Sequence, residues 1–134
     1  MKEDEGDFMK KLLFVFNPNA GKGHLKKNIC EIIDTFTKSG YLVTAYPTQA
    51  KGDGAEKIAV LAKGYDNLVC SGGDGTLSET IAALINIAEE ERPILGYIPA
   101  GSTNDVANSL DIPKKFIDAA KNATEGIPFQ IDVG

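Results

Sequence analysis

The chain carries one arginine, Arg92, and one histidine, His24, in 134 residues. Nucleic-acid recognition needs dense positive charge laid along phosphates. Here 14 basic residues face 19 acidic ones, for a formal charge of −5, which excludes a dedicated nucleic-acid binder. Cysteine is nearly as scarce. Cys30 and Cys70 fit no metal-ligand spacing. A disulfide between them stays open, but buried thiols in a reducing compartment are the expectation. No apolar run approaches the roughly 20 residues of a membrane span. The start, MKEDEGDFMKK, is too acidic and polar for a signal peptide. Residues 1–10 read as a polar lead-in, and a cytoplasmic location is expected. The composition, 43% apolar and 25% charged with 14 Gly and 6 Pro, excludes disorder, collagen repeats and a disulfide miniprotein. One domain is expected, large enough to bury a real core.

Strand-like and helix-like segments alternate. Leu12 to Phe16 is an apolar run stopped by Asn17-Pro18, which predicts a buried strand. Leu25, Ile29, Ile32, Ile33 and Phe36 recur at helical steps, and Gly40 closes that helix. Tyr41 to Tyr46 predicts a second strand, residues 54–63 a helix stopped by Gly64, and Leu68 to Ser71 a third strand. Leu77, Ile81, Leu84, Ile85 and Ala88 predict the longest helix, running into Glu89-Glu90-Glu91. That acidic end opposes the helix dipole, so fraying is expected there. Ile94 to Ile98 predicts a fourth strand ended by Pro99, then a short helix from Asn104 to Leu110. Pro113 opens a further helix stopped by Gly126, and Phe129 to Val133 predicts a last strand. Strands separated by helices need crossover connections, which favour a mainly parallel sheet covered on both faces. The expected fold is an α/β three-layer sandwich. In such sheets ligands bind beyond the carboxyl ends of the strands.

Three of the four loops at that edge are built for backbone contact. They are Asn17-Pro18-Asn19-Ala20-Gly21-Lys22-Gly23, then Gly72-Gly73-Asp74-Gly75-Thr76, then Gly101-Ser102-Thr103-Asn104-Asp105. Glycine leaves its N–H uncovered, and a helix start attracts anions such as phosphate. Any one such loop is as readily a tight turn, with Asp74, Thr76, Thr103 or Asn104 as a cap. Three on one edge suggest a polyphosphate site.

Lys22 is followed by Gly23 rather than Ser or Thr, so this is no Walker A loop. Gly72 to Gly75 lacks the third glycine of the dinucleotide fingerprint, which disfavours a nicotinamide dehydrogenase. Asp74 is the most informative residue, because a carboxylate among phosphate-binding amides repels phosphate unless its charge is offset. It either helps hold Mg²⁺ or sits near an acceptor hydroxyl, and Asp105 can serve either. Glu79 reads as compensation of a helix dipole. His24 reads as a solvated loop residue. Lys22, Lys26 and Lys27 form a basic cluster that either steers phosphate or anionic lipid head groups, or simply solvates a helix face.

With these motifs in place, the sequence resembles the N-terminal, ATP-binding domain of the diacylglycerol kinase catalytic family, in the group with sphingosine kinases, NAD kinases and phosphofructokinases. The resemblance runs from Lys11 to Gly134. Its carriers are Asn17-Pro18-Asn19-Ala20-Gly21, Gly72-Gly73-Asp74-Gly75-Thr76-Leu77-Ser78-Glu79 and Ile98-Pro99-Ala100-Gly101-Ser102-Thr103-Asn104-Asp105. It implies that Asn17, Pro18, Asn19, Ala20 and Gly21 line the ATP site and that Thr48 is a nucleotide contact. It implies that Gly72, Gly73, Asp74, Gly75, Thr76, Leu77 and Ser78 cradle the phosphates, with Asp74 close to Mg²⁺ and the transferring group. Thr103 becomes a further nucleotide contact, while Asn104 and Asp105 face the acceptor and metal. Ser78 stands where asparagine is common.

The family continues into a β-rich C-terminal domain with the lipid pocket and, in diacylglycerol kinases, an acidic general base. This sequence stops near the expected junction, at Ile131-Asp132-Val133-Gly134. The resemblance therefore implies the ATP-binding half of a lipid kinase of phospholipid metabolism, inactive alone. Its expected partners are ATP, Mg²⁺, a lipid alcohol such as diacylglycerol, a membrane met only peripherally, and a second copy pairing at an edge strand. The alternatives are an NAD kinase-like fragment and a non-catalytic nucleotide-sensing module.

Overall fold

Leu12, Leu13, Phe14, Val15 and Phe16 are consecutive, apolar and all buried. Neighbouring side chains of a strand point to opposite sides, so a fully buried run requires cover on both faces. The computed structural model describes residues 9–50, 53–100, 112 and 115–125, and places this run in β1 (Lys10–Phe16). A 3-10 turn (Ala20–Gly23) leads into α1 (His24–Lys38), followed by β2 (Tyr41–Pro47), α2 (Asp53–Leu61), β3 (Asn67–Gly72) and α3 (Asp74–Ile85). A second 3-10 turn (Glu89–Glu91) precedes β4 (Ile94–Pro99) and α4 (Phe116–Ala123). All strand pairs are parallel, in the order β2-β1-β3-β4. This is the α/β sandwich that the alternation predicts.

The pleat sorts the core into two halves. Leu12, Phe14 and Phe16 join Val69 and Ile98 against Leu25, Ile32 and Phe36 of α1 and Ala119, Ala120 and Ala123 of α4. Phe14 stacks on Phe16 at 4.9 Å and meets Phe36 edge-on at 5.6 Å. Leu13 and Val15 turn the other way, with Leu68, Cys70, Leu95 and Tyr97, against Ile58 of α2 and Leu77 and Leu84 of α3. Gly40 and Gly64 follow α1 and α2 with φ of +97° and +94°, the left-handed region that lets the chain leave a helix sharply.

Three expectations change. The longest described helix is α1 with 15 residues, against 12 in α3. The acidic triplet does not end α3, because the chain leaves the helix after Ile85 and buries Ile87. Arg92 then turns back and donates from Nε to the Ile87 carbonyl (2.9 Å) and from Nη2 to that of Ile85 (3.2 Å). A cation thus sits at the negative pole of α3, where three carboxylates were expected. Of the two cysteines, Cys70 is buried but Cys30 is exposed, and both are free thiols. Cys30 falls outside the stripe of Leu25, Ile29, Ile32 and Phe36, so α1 turns it to solvent. The expected helix at Asn104–Leu110, Pro113, Gly126 and the strand Phe129–Val133 lie outside the described residues, as does most of the lead-in.

Helix α4 lies directly on β4. A Cβ on Gly96 would collide with the backbone of Ala123, which neither rotamer change nor solvent can relieve. Gly96→Ala is therefore expected to lower the unfolding free energy by about 1–3 kcal/mol. Urea denaturation of the two proteins reads this directly, and an unchanged midpoint would mean that α4 is not seated so closely.

Candidate functional site

The strand order decides where a ligand can enter. From β1 the chain moves to one side to form β2 and then crosses to the other side for β3. Loops leaving β1 and β3 diverge at that point and open a crevice at the carboxyl ends of the strands. A cleft of about 450 Å³ lies there. Val15, Asn17 and Asn19 line it from β1 and its loop, and Thr48, Gln49, Ala50, Gly54 and Ala55 from the β2–α2 turn. Gly73, Gly75, Thr76, Glu79 and Thr80 close it from the start of α3.

Main-chain bonds carry the ladder past the ends of the strands and hold these loops side by side. Asn17 N–H donates to the Ser71 carbonyl (3.2 Å), and Thr48 N–H to that of Phe16 (2.8 Å). The Asn17 side chain accepts from Asn19 N–H at 2.9 Å, and Ala20 N–H donates to the Asn17 carbonyl at 3.0 Å, winding the β1 loop onto itself. Beneath the β3–α3 loop, the Ser71 hydroxyl donates to the Ile98 carbonyl (2.8 Å). The Gly72 carbonyl accepts twice, from the Tyr97 hydroxyl and from Ala100 N–H, both at 2.9 Å.

Gly73 is the N-cap of α3, and no side chain caps the helix. The Gly73 carbonyl takes the N–H groups of Thr76 (3.1 Å) and Leu77 (3.3 Å), leaving the first turn open toward the cleft. The glycines differ in purpose. At Gly72 a side chain would strike Thr76, so internal packing demands glycine there. At Gly75 a Cβ would meet nothing within 4 Å, and its φ is not in the left-handed region. Packing does not ask for glycine at 75, and its absence of a side chain leaves the backbone there open to the cleft.

The β2–α2 wall depends on Asp53, the first residue of α2. Its Oδ2 accepts from the Tyr46 hydroxyl (2.6 Å) and from Gln49 N–H (2.9 Å). The Tyr46 bond, then the Gln49 amide, holds the Asp53 carboxyl below its ordinary 3.8, and the same pairing holds the Tyr46 hydroxyl above its usual 10.0. At the cleft floor, the Thr80 hydroxyl donates to the Thr76 carbonyl (2.8 Å). Burial pushes the nearby Cys70 thiol up to about 12, so it is neutral and unreactive at physiological pH.

Among residues singled out from sequence, Asn17, Asn19, Thr48, Gly73, Gly75 and Thr76 meet at this cleft. Leu77 is buried in the core behind α3, Ala20 is buried under the β1 loop, and Ser78 is exposed. Pro18 and Gly72 flank the cleft in their loops without lining it. Asp74 heads α3 and Gly21 and Lys22 lie in the first 3-10 turn; the side chains of Asp74 and Lys22 are outside the described set. Thr103, Asn104, Asp105 and the rest of the Gly101 loop lie outside the described residues. His24, Lys26 and Lys27 are exposed on α1, away from the lining.

Glu79 changes its reading. It stands in the second turn of α3, beyond the reach of first-turn dipole compensation, and lines the cleft. Glu79 and Thr80 lie four residues after Gly75 and Thr76, a spacing that puts them on the same helix face. That spacing was the available signal. Gln49, Ala50, Gly54 and Ala55 carried none beyond their place after β2.

Residues 11–134 match the family model for the diacylglycerol kinase catalytic domain. The chain belongs to that family. The diacylglycerol kinase of Bacillus subtilis strain 168 is 35% identical over 129 residues, covering 94% of this chain and 42% of the relative. The diacylglycerol kinase of Staphylococcus saprophyticus is 35% identical over 127 residues, covering 93% and 41%. The crystal structure of a diacylglycerol kinase from Bacillus anthracis strain Sterne superposes with a TM-score of 0.77 at 31% identity, over 88% of this chain and 43% of that one. This diacylglycerol kinase-family chain thus spans about two fifths of the length of the curated relatives it matches.

Two measurements follow from the geometry. Gly75→Ala is expected to stabilise the protein by roughly 0.4–1 kcal/mol, since its backbone tolerates a side chain. The same change should weaken any phosphate ligand at the α3 start, and calorimetry on the stabilised variant separates the two effects. A carboxyl whose folded pKa lies below its unfolded one stabilises above the unfolded value, and that contribution is lost as pH falls through the folded value. The Tyr46–Asp53–Gln49 knot therefore holds at neutral pH and opens in acid, below the ordinary 3.8. Tyr46→Phe should raise the Asp53 titration toward 3.8, as followed by carboxyl ¹³C NMR.

Proposed function

We propose that this chain is the nucleotide-binding half of an ATP-dependent lipid kinase. It holds Mg-ATP for transfer of the γ-phosphate to the hydroxyl of a lipid alcohol such as diacylglycerol. The observation that carries this reading is the cleft between β1 and β3, onto which the uncapped start of α3 opens at Gly73 and Gly75. Its volume, about 450 Å³, lies in the range of small-ligand pockets. Family membership supplies the reaction class.

Phosphoryl transfer asks for positioning and charge neutralisation more than for covalent chemistry. The amides of Gly73 and Gly75 and the dipole of α3 meet the phosphates. Asn17, Asn19 and the rest of the segment from Pro18 to Gly21 border the nucleotide on the β1 side. Thr48 borders it on the β2 side, and Thr103 supplies a further contact from the third loop. Asn104 and Asp105 face the acceptor.

Magnesium held with nucleotide phosphates typically uses only one or two protein carboxylates, the remaining ligands being phosphate oxygens and water. The donor set fits. Among the described residues no group of three His, Cys, Asp or Glu gathers, and Glu79 brings a carboxylate to the cleft. Asp74, between Gly73 and Gly75 at the head of α3, adds another by position. Held by those carboxylates, the ion would supply positive charge to offset the negative charge of the phosphates during transfer.

The same reading has the protein meet a membrane only peripherally, from the cytoplasm, in phospholipid synthesis; among the described residues no helix is long and apolar enough to cross a membrane. β2 is an edge of the described sheet, where a second copy would pair to give a homodimer. The 134 residues assayed by themselves are expected to bind nucleotide weakly and to turn over negligibly.

The deciding experiment places Asp74→Ala in a protein that joins this chain to the C-terminal part of its relatives. Lipid phosphorylation is expected to fall by about 10²-fold or more. Near-normal activity would remove Asp74 from the mechanism. Calorimetry of the 134-residue chain with Mg-ATP tests the binding half on its own.

A further inference from the structure

The β2–α2 wall of the cleft consists of short polar and small residues in a turn, a type of segment that does not hold its own shape. Main-chain bonds fix part of it, Thr48 N–H to the Phe16 carbonyl (2.8 Å) and Asp53 N–H to the Ala50 carbonyl (3.1 Å), and the side-chain support falls on a single oxygen. Asp53 Oδ2 takes both the Tyr46 hydroxyl at 2.6 Å and Gln49 N–H at 2.9 Å, joining the end of β2, the turn and the start of α2. Two further contacts depend on that joint. The Gln49 side chain donates to the Pro47 carbonyl at 2.9 Å, and Gly54 brings the first turn of α2 against Thr48, where an added Cβ would lie 3.2 Å from Thr48 Cγ2 and 3.5 Å from Val15 Cγ1. Thr48, Gln49, Gly54 and Val15 all line the cleft, whereas neither Tyr46 nor Asp53 does.

Resting on the nucleotide reading above, we infer that Asp53 is a positioning residue, locked by Tyr46, that sets the β2–α2 wall in its ligand-receiving shape without touching the ligand. Both of its bonds fall on one oxygen, so the role requires a well-placed acceptor rather than a negative charge. An asparagine with its carbonyl in the same place retains both bonds, though without charge assistance. An alanine loses both.

The test is an amide NMR titration of the 134-residue chain with Mg-ATP, which reads weak binding and folding in the same spectra. Asp53→Ala should keep a dispersed, folded spectrum, with shifts centred on Thr48–Ala50, and should bind Mg-ATP at least about fivefold more weakly. Asp53→Asn should stay within about twofold of the original chain, which a generic loss of stability would not restore. Tyr46→Phe, which removes one bond of the two, should fall between them and keeps the test sound if the alanine variant does not fold. Equal Mg-ATP affinity in a folded Asp53→Ala and the original chain overturns the role of Asp53 while leaving the nucleotide site standing. Absence of Mg-ATP shifts in the original chain overturns the nucleotide reading, and this inference with it.

Discussion

The parallel pairing of β1 with β2 on one side and β3 on the other is the constraint from which the rest follows. Parallel neighbours cannot be joined by a hairpin, so each connection must climb back over a face of the sheet. Each return ends at the same edge, and β1 lies at the centre with its five inner residues buried. The crevice beside β1 is thus a product of chain routing rather than of any one side chain. Its lining reflects that origin, since most contributors are turn residues set by backbone bonds to a neighbouring strand.

Those turns divide the work between rigid and open positions. Ser71, Tyr97 and Thr80 spend their hydroxyls on main-chain carbonyls below the cleft, and none of these bonds is exposed to full solvent competition. Above them stand glycines that present main chain to the cleft. A buried polar layer under an uncovered amide surface suits recognition of an oxyanion, where donors must be fixed and side chains kept clear.

Much of this was legible in the sequence, for identifiable reasons. The unbroken run Leu12–Phe16 with its Asn17-Pro18 stop and the helical stripe through Leu25, Ile32 and Phe36 marked their elements, and the loops after β1 and β3 marked the edge of the sheet where the cleft lies. Three features escaped. The end of α3 is decided by Arg92 reaching back five and seven residues to carbonyl oxygens, a contact that no local periodicity encodes. Cys30 looked internal because its neighbours are apolar, yet its angle on α1 takes it to solvent. The shape of the β2–α2 turn beyond Thr48 was not legible, because its side-chain anchor, Asp53, is locally an ordinary acidic residue at a helix start. Its importance lies in a tertiary bond to Tyr46 that sequence spacing does not announce.

The doubly occupied carbonyl of Gly72 has one more consequence. A peptide unit is planar, and none of the described bonds is cis, so fixing one end of the unit fixes the other. With Tyr97 and Ala100 gripping the oxygen, the attached nitrogen of Gly73 cannot swing, although two successive glycines would ordinarily wander. The floppiest dipeptide at this edge is thereby turned into a stationary part of the cleft wall, with its ordering entropy already spent in folding.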